Sequence, residues 1–115
     1  MQIIDTTTLL DREQLRDITL NDEELMREIL SALIDDTSRQ IGLLDTAIRA
    51  EDSQKCMRLA HYSKGACANV GANSAAALLK HIENQASKGE FFECGQSLAA
   101  LSQEIDRLRT EAVAF

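Results

Sequence analysis

Apolar residues recur every three or four positions along most of the chain, which is the spacing of amphipathic helices. The longest stripe follows Asn21, a good N-cap, and continues to about Arg49, with acidic residues in its first turn where the helix dipole favours anions. Thr37 and Gly42 are weak points in this stripe. We predict one long helix, with any bend near Gly42. Its apolar positions are Leu25, Met26, Ile29, Leu30, Leu33, Ile34, Ile41, Leu44 and Ile48.

The same periodicity predicts a short helix at about 11–18 and three more helices after the long one. Asp52 or Ser53 can cap the next helix, which stops near Gly71, a residue type common just past a helix C-terminus. The last two helices cover about 72–87 and 90–112, separated at Gly89. The chain has no proline, and long β-branched alternating runs are missing. We therefore predict an all-α domain over residues 1–115, an antiparallel up-down-up-down four-helix bundle with a short additional N-terminal helix.

The charge and composition of the chain argue against several classes of binding partner. The formal net charge of −7 opposes binding to nucleic acid or an anionic membrane, and the absence of tryptophan argues against a base-stacking surface. No apolar run approaches the roughly 18 residues of a membrane span, and the N-terminal stretch MQIIDTTTLLDREQ has no basic region before an apolar core, which a secretion signal would need. Cys56, Cys67 and Cys94 have no metal-ligand spacing and are expected to be core residues. We expect a cytoplasmic protein that binds no metal, no nucleic acid and no membrane.

The segment 58–72, RLAHYSKGACANVGA, has an unusual arrangement for a packing helix. At about 100° per residue, the apolar band of this helix lies opposite His61, which is therefore predicted to face solvent. Lys64 and Gly65 lie on the His61 side, one turn further on. The predicted core band is Cys56, Leu59, Ser63, Ala66, Cys67 and Val70, and the His61 face also holds Gln54, Met57, Arg58 and Ala68.

These residue types suit phosphoryl chemistry. An exposed neutral imidazole offers a lone pair for nucleophilic attack, and a lysine three residues on can offset charge on a phosphoryl group. Gly65 costs about 1 kcal/mol relative to alanine and lies away from the core band, so clearance for a partner explains it better than packing does. A single exposed histidine, lysine or glycine is most often a surface residue without a function, as we expect for His81. The combination of His61, Lys64 and Gly65 on one face favours a functional site.

The stretch AHYSKGACANVGA resembles the signature of histidine-containing phosphotransfer (HPt) domains, in which a His-x-x-Lys-Gly core precedes a small-residue run ending in Gly-Ala. One departure is Ser63, where that family usually has an apolar residue such as leucine. The matching positions are His61, Lys64, Gly65, Ala68, Asn69, Val70, Gly71 and Ala72.

The resemblance implies that His61 accepts a phosphoryl group from the aspartyl phosphate of a response-regulator receiver domain and passes it to another receiver. Lys64 would stabilise the phosphoryl charge and Gly65 would leave room for the partner. We expect the partner, a receiver domain or a hybrid histidine kinase, to contact Met57, Arg58 and Ala68, together with apolar residues near the first helix such as Ile18 or Leu20. The protein would be a covalent phosphoryl carrier without ATP-dependent kinase activity or a cofactor of its own, with Mg²⁺ supplied by the receiver.

Two alternatives stay open at this point. The chain could be the phosphoacceptor module of a larger hybrid or chemotaxis kinase, although Met1 and a complete bundle mildly favour a stand-alone protein. It could also be a helical adaptor that is never phosphorylated. A metal or haem bundle has little support, because there are only two histidines and no Glu-x-x-His pair.

Overall fold

The structure is a computed structural model that describes residues 7–115, and the described residues form five helices and no strand. Helices α2 to α5 pack in a ring, each against its neighbours in chain order, with α5 closing on α2. The predicted all-α bundle with a short first helix is confirmed. No helix within the described range is both long and apolar enough to cross a membrane. The helices are α1 (Arg12–Ile18), α2 (Glu23–Arg49), α3 (Ser53–Asn69), α4 (Asn73–Ser87) and α5 (Phe91–Val113).

Three of the helices begin at an aspartate whose carboxylate accepts a hydrogen bond from the third helical amide. Asp11, Asp22 and Asp52 do so for α1, α2 and α3, each at 3.1 Å. The N-cap of α2 is therefore Asp22 and not the predicted Asn21. Asn21 has a φ of +67° and follows Leu20 at +53°, so it belongs to the turn after α1, whereas a cap needs the extended backbone that Asp22 adopts. Helix α2 runs unbroken through Gly42.

The core is built from aliphatic side chains and the three cysteines. Cys56, Cys67 and Cys94 are buried free thiols, as expected from the sequence. Because no Cα of α3 lies within 8 Å of α5, Cys56 and Cys94 are too far apart for a disulfide. The largest fully buried apolar side chains are Leu15, Met26, Leu30, Leu44, Leu79, Ile82, Leu101, Ile105 and Leu108.

Helix α1 and the segment before it form hydrogen bonds to the C-terminal end of α3. The side chain of Gln14 donates to the carbonyl oxygens of Ala68 and Asn69, at 2.8 and 3.2 Å, which satisfies groups that a helix end leaves free. The Asp11 amide donates to the Gly71 carbonyl at 2.8 Å. Gly71 has a φ of +85°, and a Cβ there would lie 2.9 Å from the Asp11 carbonyl oxygen. The end of α3 is thus held by backbone contacts that only glycine permits.

Candidate functional site

The buried face of α3 consists of Cys56, Ala60, Ser63 and Cys67. Four residues of the predicted band are buried, and Leu59 and Ala66 pack against the core from its edge while only partly buried. The prediction was wrong in leaving out Ala60, which is fully buried. The cause is the position of α4, which covers the flank of α3 that carries Ala60. One contact across that flank is the hydrogen bond from the Ser53 hydroxyl to the Ala86 carbonyl.

His61 lies opposite the buried face, and its side chain is 69% exposed. Gly65 is exposed one turn further on, and a Cβ built there meets no atom within 4 Å. Arg58 and Ala68 are exposed on either side, while Met57 is only partly accessible because it packs against the core. The structure therefore places the predicted site residues on one surface, with Met57 at its buried edge.

Glu83 on α4 completes the site, and the sequence reasoning missed it. Its carboxylate bridges the two candidate side chains of α3: Oε2 lies 3.0 Å from Nδ1 of His61, and Oε1 lies 2.8 Å from Nζ of Lys64. The sequence contains one indication of this role: Glu83 is a charged residue directly after the core residue Ile82, at the edge of the apolar stripe of α4 and so close to a neighbouring helix. Identifying it required knowing which flank of α3 this helix covers.

Glu83 is held in its ionised form. Partial burial by itself would raise the pKa of this carboxyl group, but the hydrogen bond and positive charge of Lys64, followed by those of His61, outweigh burial. The net pKa of Glu83 lies below its ordinary value. At neutral pH the residue is therefore an acceptor only.

An ionised Glu83 decides which nitrogen of His61 is free to react. A carboxylate can only accept, so a neutral imidazole bonded to it carries its proton on Nδ1. The lone pair then resides on Nε2, which has no protein partner among the described residues and belongs to an exposed ring. The arrangement can deliver Nε2 as a nucleophile, with the Lys64 ammonium group one turn away.

The second histidine has no comparable surroundings. His81 is exposed on α4, as predicted, and forms no hydrogen bond or ion pair within residues 7–115. The same residues contain no group of three or more histidine, cysteine or acidic side chains that could hold a metal ion. The chemistry of the described surface is therefore concentrated at His61.

Comparison with known proteins agrees with this geometry. Residues 28–111 match the family model described as Hpt domain, a range that contains His61, Lys64, Gly65 and Glu83. Among solved structures, the fold is similar to that of histidine-containing phosphotransfer protein B (HptB) from Pseudomonas aeruginosa PAO1, with a TM-score of 0.84 and 24% identity over 92% of each chain. A search of curated proteins gave no match. Because the family match spans most of the sequence, the chain belongs to the Hpt domain family, the histidine phosphotransfer intermediates of phosphorelay signalling.

Proposed function

We propose that His61 is the phosphoacceptor and that receiver domains of response regulators are its donor and its recipient. The observation that carries this proposal is the exposed imidazole whose Nδ1 is occupied by Glu83, which leaves Nε2 as the nucleophile. Nε2 attacks the phosphorus of an aspartyl phosphate, the N–P bond forms, and the P–O bond to aspartate breaks to give a carboxylate. A second receiver reverses these steps.

Lys64 stabilises the phosphoryl group electrostatically. Phosphoryl transfer depends mainly on positioning and charge neutralisation, and the Lys64 ammonium group lies one helical turn from His61 on the same face. In the resting protein Glu83 holds this ammonium at 2.8 Å, so its flexible side chain is already ordered near the ring. Lys64→Ala is therefore expected to slow transfer.

The receiver docks over the His61 face and the adjoining apolar surface. Gly65 and Ala68 have no side chain beyond Cβ, so they leave space above this face for a partner. Gln14 connects α1 to the end of α3 beside it. Ile18 and Leu20 at the end of α1 are 48% and 90% exposed. Leu20 also has a positive φ, a backbone conformation that costs free energy for a leucine. Its side chain is not buried in the core, so no packing within this protein offsets that cost, and contact with a partner would explain the exposed apolar residue.

The receiver, or the receiver domain of a hybrid histidine kinase, supplies Mg²⁺, and this chain contributes no cofactor of its own. We place the protein in the cytoplasm, because three buried free thiols suit a reducing compartment.

Labelling by a phosphorylated receiver domain tests the proposal. Wild-type protein is expected to acquire acid-labile phosphate, and His61→Gln is expected to acquire none while keeping its helicity and melting temperature, because the side chain is exposed. His81→Gln is the matched control, since it removes the other exposed histidine, and it should label like wild type. Labelling of His61→Gln would contradict the role of His61 as phosphoacceptor. Failure of every receiver in the source genome to label the wild type would contradict the whole proposal and favour an unphosphorylated adaptor.

A further inference from the structure

Glu83 contacts His61 on the nitrogen that does not receive the phosphoryl group, so its contact can persist after phosphorylation. We propose that Glu83 is a positioning residue that keeps the proton on Nδ1 of phosphorylated His61 and thereby favours onward transfer over storage of the phosphoryl group. This inference rests on the proposed phosphoacceptor role of His61. It concerns what happens after the N–P bond has formed.

The proton inventory of the two transfers shows why this proton matters. When Nε2 attacks, its lone pair forms the N–P bond while the proton stays on Nδ1, so the ring becomes a cation. The Glu83 carboxylate at 3.0 Å stabilises that cation. In onward transfer the N–P electron pair returns to Nε2, and neutral imidazole leaves with the same Nδ1 proton. Without the carboxylate the Nδ1 proton is lost to solvent more readily, and a ring that has lost it would have to leave as an anion, which is a poor leaving group.

The negative charge of Glu83 also favours onward transfer over storage of the phosphoryl group. Its Oε1 competes with the phosphoryl oxygens for the Lys64 ammonium, and its negative charge lies on the same side of the bundle as the phosphoryl group. Both effects make the phosphorylated state less favourable relative to transfer. A glutamine at this position would keep the size of the side chain and remove the charge.

No other titratable group takes the place of Glu83 in this cluster. Arg58, one turn before His61, and Lys80, one turn before Glu83, are exposed, and neither forms an ion pair within residues 7–115. Helix α2 packs on a different part of α3 and presents Asp36 to the Cys67 side. Helix α5 has no Cα within 8 Å of α3. Retention of the Nδ1 proton on phosphorylated His61 therefore depends on the negative charge of Glu83, and the positive charge of Lys64 opposes it.

Glu83→Gln tests the inference. Wild type and variant are phosphorylated with phosphoramidate, the donor is removed, and the loss of phosphohistidine is followed by phosphorus NMR across a pH series and after addition of an unphosphorylated receiver domain. We expect the variant's phosphohistidine to persist about three to ten times longer near neutral pH, to transfer correspondingly more slowly, and to show a pH profile displaced by about one unit to lower pH. Glu93→Gln, the same change at an exposed position of α5, is the control and should behave like wild type.

Superimposable pH profiles for wild type and Glu83→Gln would overturn the inference. A variant that accepts less phosphate while the pH profile of its decay is unchanged would also overturn the inference. That result would indicate that Glu83 orients the imidazole ring without affecting the proton on Nδ1. Lys64→Ala should not move the profile to lower pH, since it removes a positive charge. If wild type acquires no phosphohistidine on His61, the proposed function itself fails, which is a different result from either of these.

Discussion

Gly65 lies in the middle of an exposed helical face, where the missing side chain has no structural use. A Cβ at this position meets no atom within 4 Å, and the backbone φ is helical. Relative to alanine, glycine in a helix interior costs about 0.5–1 kcal/mol through backbone entropy. The protein bears this cost beside His61, where the proposed function requires a receiver domain to approach.

Gly65→Gln should therefore separate stability from function. We expect the melting temperature to be kept or raised, because glutamine is a good helix former, while receiver-dependent phosphorylation falls by on the order of a hundredfold, because displacement of the reacting atoms by even about 1 Å is costly. Gly95→Gln is a matched control: Gly95 is an exposed interior glycine of α5, and its Cβ also has open space. Equal slowing in both variants, or unfolding of Gly65→Gln alone, would contradict the clearance role.

Glu83 also makes the stability of the protein depend on pH. The pKa of Glu83 in the folded state is lower than in the unfolded chain, so its contribution to stability is present above the unfolded pKa and is lost as pH falls through the lower, folded pKa. Its side chain is 21% exposed, and we expect Glu83→Gln to lower the free energy of unfolding by up to about 1 kcal/mol at neutral pH. Urea unfolding at several pH values checks this. A difference that stays constant into acid would show that the charge is not responsible.

The junction between α1 and the end of α3 holds the helix that carries His61 at its C-terminus. Two glycines that follow helices, Gly71 and Gly89, both have positive φ, at +85° and +71°. Only Gly71 is crowded, since its Cβ would lie 2.9 Å from the Asp11 carbonyl oxygen, whereas Gly89 has open space. The two positions therefore separate backbone strain from the close approach of α1.

Gly89→Ala is expected to cost about 1 kcal/mol, which is the cost of a left-handed conformation for an alanine. Gly71→Ala should cost about 2–3 kcal/mol, because it adds a clash with backbone that cannot move without breaking the bond between Asp11 and Gly71. Thermal or urea unfolding of the two variants measures the difference. Equal losses would mean that α1 shifts freely and does not hold the end of α3.

The three thiols report on the opening of the whole bundle, because they belong to α3 and α5 and are all buried. Burial raises the pKa of Cys67 and of Cys94 to about 11, and it also raises the pKa of Cys56. Because the thiolate is the reactive form, we expect a thiol reagent at mildly alkaline pH to modify native protein only as fast as the bundle opens. In denaturant all three should react at once. A thiol that reacts rapidly in the native protein would show that one part of the core opens independently.

Several features were predictable because they depend on one helix at a time. The exposure of His61, the side of α3 shared by Lys64 and Gly65, and the stop at Gly71 follow from the angular spacing of residues and from local backbone chemistry. The four amphipathic stripes likewise favour a bundle, since each must bury one face against another helix. Such properties are present in a short stretch of sequence whatever its neighbours are.

Other features required the tertiary structure because they depend on which helix lies beside which. Burial of Ala60 in place of Leu59, and the bridge from Glu83 to His61 and Lys64, follow from α4 covering one flank of α3, and residues 61 and 83 are on different helices. Burial and charge pairing are set by distance in space, and helical periodicity gives the direction of a side chain without giving what it meets. The sequence by itself therefore determined which histidine is the candidate phosphoacceptor and that it is exposed, and only the packing of α4 decided which of its two nitrogens is free.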